Sequence, residues 1–127
     1  MKYYDELARL ERAGFDVIVD KTWEDISLRD CFDDSCYNIA EMEEKVNDGR
    51  LDWFMLRVRV MFEGHEFAEE YLGGLLYENA RECLTDGTAE DVISTALDRA
   101  KREVHSLAGK LWALQMEMDY ADAQPAE

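Results

Sequence analysis

The sequence predicts an α+β domain: an antiparallel sheet of about three strands built on a long hairpin, packed against a long C-terminal helix and one or two further helices. Three observations predict it. From Asp52, the residues Phe54, Leu56, Val58, Val60 and Phe62 alternate with Trp53, Met55, Arg57, Arg59 and Met61, which is the period of a strand. Glu63-Gly64-His65 then supplies turn chemistry, so that Glu66 to Tyr77 returns as the antiparallel partner. Finally Ile93, Leu97, Ala100, Val104, Leu107, Leu111, Leu114 and Met118 fall at alternating spacings of four and three, a heptad seam on one helix.

The remaining elements follow in chain order. Tyr3, Tyr4, Leu7, Leu10 and Ala13 stand at helical spacing before Gly14, a first helix over residues 2–13. Phe15, Val17 and Val19 read as a strand reaching Asp20, which completes the sheet. Lys21 to Asp34 has no sustained period and reads as a loop with at most one helical turn. Asp34 or Ser35 can cap a second helix through Lys45 that buries Ile39, Met42 and Val46, and Asn47-Asp48-Gly49 ends it. Gly73-Gly74 inside the hairpin marks a bulge or a close backbone approach. Asn79 to Asp86 suits a short helix closed by Gly87, and Thr88-Ala89-Glu90-Asp91 resembles a capping box opening the long one. Thirty such residues would extend roughly 45 Å, longer than a domain of this size is wide. The helix therefore bends, with Gly109 the natural place, or packs on a second copy of itself. Residues 1–120 form one domain and 121–127 a frayed acidic tail.

Composition narrows the function. Thirty Asp and Glu against fourteen Lys and Arg leave a formal charge of −16, which repels nucleic acids and anionic membranes and favours basic proteins. The excess is concentrated in the first ninety residues. Cys31, Cys36 and Cys83 are too few for a disulfide framework and point to a reducing compartment, the cytoplasm. No basic-then-apolar leader opens the chain, and no apolar run approaches the roughly 18 residues of a membrane span.

Catalytic chemistry finds little support. Cys31-x4-Cys36 with Cys83, His65 and His105 lacks the pairing of a zinc site, so no metal and no cofactor is expected. A nucleophile would need one of two histidines as its base, and His65 reads as a turn residue and His105 as an off-seam helix residue. Gly73-Gly74 has neither the lysine nor the strand-to-helix context of a phosphate loop. Arg57 and Arg59 share a strand face with Trp53, Met55 and Met61 and are expected to pair with cross-strand Glu66, Glu69 and Glu70. No catalytic residues are assigned, and the chain reads as a non-enzyme.

Spacing suggests a role for the carboxylates themselves. Residues two apart on a strand, or four apart on a helix, lie about 6 to 7 Å from each other, close to the phosphate repeat along a nucleic-acid strand. The rows able to copy that footprint are Asp16 and Asp20; Glu24, Asp25, Asp30, Asp33 and Asp34; Glu41, Glu44 and Asp48; and Glu63, Glu66, Glu69 and Glu70.

The segments DWFMLRVRV and EYLGGLLYE, followed by the acidic helix opening TAEDVISTALDRAKREV, resemble those of small bacteriophage and prophage proteins of unknown function over residues 50–104. Where such proteins often carry cysteines after the Leu-Gly turn, Leu75 and Leu76 stand here. Small size, acidity and this hairpin are similar in type to anti-CRISPR and anti-restriction inhibitors that mimic DNA. The resemblance implies an inhibitor in the bacterial host cell that occupies a basic host complex, a CRISPR effector, without touching nucleic acid or membrane itself. The alternative expectation is a structural or regulatory adaptor that forms a homodimer through Leu97, Val104, Leu107, Leu111, Leu114 and Met118.

Overall fold

A computed structural model describes residues 2–124. Its sheet is a meander of four antiparallel strands: β1 (Asp5–Arg12), β2 (Phe15–Trp23), β3 (Asp52–Phe62) and β4 (His65–Tyr77), in that order. Two short helices, α1 (Leu28–Cys31) and α2 (Ile39–Asn47), lie in the crossover from β2 to β3. A 3₁₀ turn (Ala80–Leu84) leads from β4 into α3 (Thr88–Ala123). The α+β class and the long C-terminal helix are as expected, but the sheet has one strand more.

The extra strand is β1, where the sequence suggested a helix. Asp5–Arg12 is rich in helix formers, yet Ala13 (φ 53°) and Gly14 (φ 86°) make a two-residue turn with both central residues left-handed. That geometry matches the twist of paired strands and folds β1 back on β2, with Arg12 opposite Phe15 and Leu10 opposite Val17. Ladder pairing and burial of Leu7 outweigh local helix propensity, which is worth only tenths of a kcal/mol per residue. Glu63 (φ 49°) and Gly64 (φ 77°) repeat the same turn between β3 and β4.

One sheet face is the core. Val17 and Val19 of β2 and Phe54, Leu56, Val58 and Val60 of β3 lie under Ala89, Val92, Ile93, Ala96, Leu97 and Ala100 of α3. The small residues Ala96 and Ala100, both fully buried, let the helix backbone approach the sheet closely. Cys83 is buried in the same core.

Several helix ends differ in detail from the sequence reading. Asn38, and neither Asp34 nor Ser35, caps α2, its Oδ1 accepting from the Glu41 amide at 3.2 Å. At the start of α3 the N-cap is Gly87, while Asp86 Oδ1 accepts from the Thr88 amide at 2.9 Å. Thr88 thus lies within the first turn, its hydroxyl 3.0 Å from the Tyr77 hydroxyl. The strand begun at Phe15 runs past Asp20 to Trp23. Residues 121–123, read as frayed tail, are the last of α3, and residues 125–127 lie outside those described. The helix continues through Gly109.

Candidate interaction surfaces

The first surface is the crossover between β2 and β3. Residues 24–50 hold nine acids and three bases, so a segment that leaves the sheet carries a disproportionate share of the net charge. Its frame is aromatic. The Trp53 indole donates to the Ile26 carbonyl at 2.9 Å, and Phe32 packs on Trp53 and, edge on, against Tyr37. Leu28 and Ile39 are buried beneath.

The acids expected to form a row divide into two kinds. Glu24 is structural: its Oε2 accepts from the Gly74 amide at 2.8 Å and its Oε1 from the Ile26 amide at 3.2 Å. A side chain at Gly73 would meet that carboxylate 2.5 Å away and would have to displace it from its bond to the Gly74 amide. The double glycine is therefore both a register shift opposite Met55 and a close approach, the two roles its sequence suggested. Asp25 is tied to Lys2 at 2.8 Å, an ion pair that holds its carboxyl below the usual range. Asp33 accepts from the Ser35 amide at 2.9 Å and is likewise held low by that bond. Asp48 bonds Arg50 at 2.7 Å, and Glu41 pairs with Lys45 at 3.2 Å.

Asp30, Asp34 and Glu44 carry lighter ties. Asp30 accepts from the Ser27 hydroxyl at 3.3 Å, and Asp34 stands 3.6 Å from Arg29, which itself forms an ion pair with Glu43 at 2.9 Å. Glu44 is exposed with no ion-pair partner among the described residues. All three display their charge to solvent.

The acids of β4 do not form one row. Glu69 stands opposite Arg59 and Glu66 opposite Met61, on the face away from α3. Glu70, opposite Val58, lies on the α3 face and bonds Arg99 at 2.6 Å. Glu63 sits in the turn. The sheet thus separates Glu70 from Glu66 and Glu69. Burial, with the neighbouring Glu69 adding to it, raises the pKa of Glu66 above the ordinary value. The Tyr71 hydroxyl donates to Glu69, and burial together with that carboxylate raises the phenol's pKa.

On the same outer face the arginines find a partner other than the one expected. Arg57 forks onto Asp20 with bonds of 2.8 and 2.6 Å, and Arg59 reaches it at 3.4 Å. The Arg57 guanidinium also stacks 3.5 Å over the Tyr4 ring. Asp20, only 3% exposed, is consumed by this cluster and displays no charge, while its row-mate Asp16 is exposed. The cross-strand partners are thus on β2, and Glu66, Glu69 and Glu70 form no ion pair with either arginine among the described residues. Alternation could have found this: Asp20 faces Arg57 in the ladder.

The second surface is the outer half of α3. Leu97 of the expected seam is buried in the core, but Val104 is 38% exposed, Leu111 and Leu114 each 53% and Met118 50%. Leu107 is half-buried. Where the helix leaves the sheet, Val104, Leu107, Ala108 and Leu111 face Phe15, Phe62 and Phe67 across an apolar groove of about 360 Å³. Its other wall is the β1–β2 turn, at the opposite end of the sheet from the acidic crossover.

Cys31 and Cys36 are exposed on the crossover, and His65 and His105 are exposed on β4 and α3. The described residues contain no group of three or more His, Cys, Asp or Glu placed to hold a metal. No described helix is long and apolar enough to cross a membrane. The chain matches no protein-family model, no curated protein and no solved structure.

Proposed function

We propose that the protein is a non-catalytic inhibitor from a phage or other mobile element, which occupies the basic nucleic-acid-binding surface of a host defence complex, a CRISPR effector. The observation that carries this reading is the acidic crossover: a dense, solvent-facing set of carboxylates on a segment held to the sheet by Trp53, Phe32, Leu28 and Ile39. A preordered anionic surface loses little side-chain entropy on docking and steers a basic partner by its long-range field. Exposed Tyr37 and Ile26 beside the acids add apolar contact of the kind that anchors protein interfaces. Inhibition would be by occupancy, with no turnover.

Binding of the purified protein to an effector complex, with and without competing DNA, tests this. Asp30→Lys, Asp34→Lys and Glu44→Lys together reverse three charges and leave the Asp33 turn and the Glu24 clamp intact. The triple variant is expected to weaken binding at least tenfold, and salt above about 0.3 M, where the screening length is roughly 6 Å or less, to weaken the wild type. Undiminished affinity of the triple variant removes the crossover as the binding face. Binding that DNA does not compete removes mimicry.

A further inference from the structure

We propose that the outer half of α3 docks on a second copy of this chain, forming an antiparallel helix pair in which each partner's Met118 and Ala121 enter the other's apolar groove. This inference does not depend on the identity of the acidic crossover's target.

Four observations carry it. The stripe that packs on the sheet as Ile93, Leu97 and Ala100 continues beyond it on the same face, first as Val104 and half-buried Leu107 along the groove, then as exposed Leu111, Leu114 and Met118. Helices in proteins draw most of their stability from packing an amphipathic face, so the apolar face of this extension calls for a cover. The charge of this segment also differs from that of the rest. Residues 99–123 carry four bases and four acids, a net of zero in a chain of −16. Two copies therefore repel least where they would meet here.

Heptad geometry then selects orientation and register. With Leu111 at position a and Leu114 at d, the flanking g positions are Glu103, Lys110 and Glu117, and the e positions are Lys101, Ala108, Gln115 and Asp122. A parallel in-register pair sets Glu117 against Asp122 and Lys110 against Gln115, one repulsion and no attraction. An antiparallel pair with Leu111 opposite Leu114, Leu107 opposite Met118 and Val104 opposite Ala121 sets Lys110 against Glu117 and Lys101 against Asp122, each twice by symmetry. All four of these charged residues are exposed, and none has an ion-pair partner among the described residues.

The groove fits this register. Its helix wall is Val104, Leu107 and Leu111, the residues that meet the partner's Ala121, Met118 and Leu114. Phe15, Phe62 and Phe67 complete the pocket around the thioether, a side chain suited to irregular apolar gaps. Helix α3 ends at Ala123, where the partner's sheet would begin. The two acidic crossovers remain at the far ends, free to act as a bivalent pair.

Sedimentation equilibrium of the whole chain is the test. The wild type is expected to dimerise, and Leu111→Glu to weaken dimerisation by more than about a hundredfold by placing two carboxylates in the seam. Its far-UV spectrum should keep the sheet, since Leu111 lies outside the core. Charge swaps discriminate orientation: Glu117→Lys is expected to weaken the dimer by roughly three- to tenfold and Lys110→Glu/Glu117→Lys to restore it. A wild type monomeric at about 1 mM would overturn the proposal, because such an interface would be weaker than about −4 kcal/mol. Tighter association of Glu117→Lys would overturn the antiparallel pairing, since in a parallel pair the introduced lysine gains an attraction to Asp122.

Discussion

The two halves of α3 have the same apolar periodicity and opposite environments. Over residues 89–100 the stripe is 0–9% exposed, against Phe54, Leu56 and Val58; beyond Leu107, the seam residues Leu111, Leu114 and Met118 stand half in solvent. Nothing in the spacing distinguishes them. The difference lies in bulk and charge. The inner half uses Ala89, Ala96 and Ala100, which permit close packing on a sheet, whereas the outer half uses leucines and methionine in a segment of balanced charge. Small residues at a seam suit a flat, preformed surface, and large ones suit interdigitation with another helix.

Truncation at matched positions offers the largest break in this comparison. Ile93→Ala, at 2% exposure, removes packing and leaves a cavity, and is expected to cost about 2–5 kcal/mol in urea unfolding. Leu114→Ala is expected to change monomer stability by less than about 0.5 kcal/mol at high dilution. At high protein concentration it should cost more, because a variant that weakens dimers loses the stabilisation that association confers. Equal costs at high dilution would mean that the outer half already packs on its own domain.

Much of the frame was legible because its signals are long. The hairpin of β3 and β4 showed a sustained period of two, the turn at Glu63-Gly64 was chemically marked, and Gly73-Gly74 announced the approach of another group without naming Glu24. Strand β1 was not legible, since DELARLER has helix formers throughout and only the Ala13-Gly14 turn, whose left-handed alanine no pattern flags, turns it back as an edge strand. Candidate site residues fared unevenly for a related reason. The crossover acids were readable as a cluster, but whether a carboxylate is displayed or consumed depends on the strand register, which hides Asp20 under Arg57 and sends Glu70 to the face of Arg99.

A smaller effect sharpens the comparison from the backbone. Gly109 lies in the outer half with φ in the ordinary range and open space where a Cβ would stand. It is also off the seam, two residues before Leu111. At dilutions where the chain is monomeric, Gly109→Ala should therefore stabilise the helical extension by roughly 0.5–1 kcal/mol, read as increased helicity at 222 nm that persists to higher temperature. Were the outer half already locked by a partner, the gain in helicity at 25 °C would vanish and only the unfolding temperature would rise.

The smallest expected effect contrasts the covered face of the sheet with its outer face. Glu66 has its pKa raised in the folded state, first by burial and then by Glu69, so the fold binds its proton more tightly than the unfolded chain does. The sign follows from linkage: this group favours folding when protonated, below its unfolded value, and that contribution is lost as pH rises through the folded value. Asp25, Asp33 and Asp48 act in the other direction, their lowered pKa values supporting the fold at neutral pH and failing as the carboxylates protonate. Glu66→Gln removes only the first effect. Glu66 is exposed, so solvent screening keeps the effect small: a slight rise in stability at pH 7 is expected, with no gain below about pH 4. A variant less stable at pH 7 would mean that the Glu66 carboxylate is held by Arg57 and Arg59, whose charges oppose the shift, more firmly than Glu69 repels it.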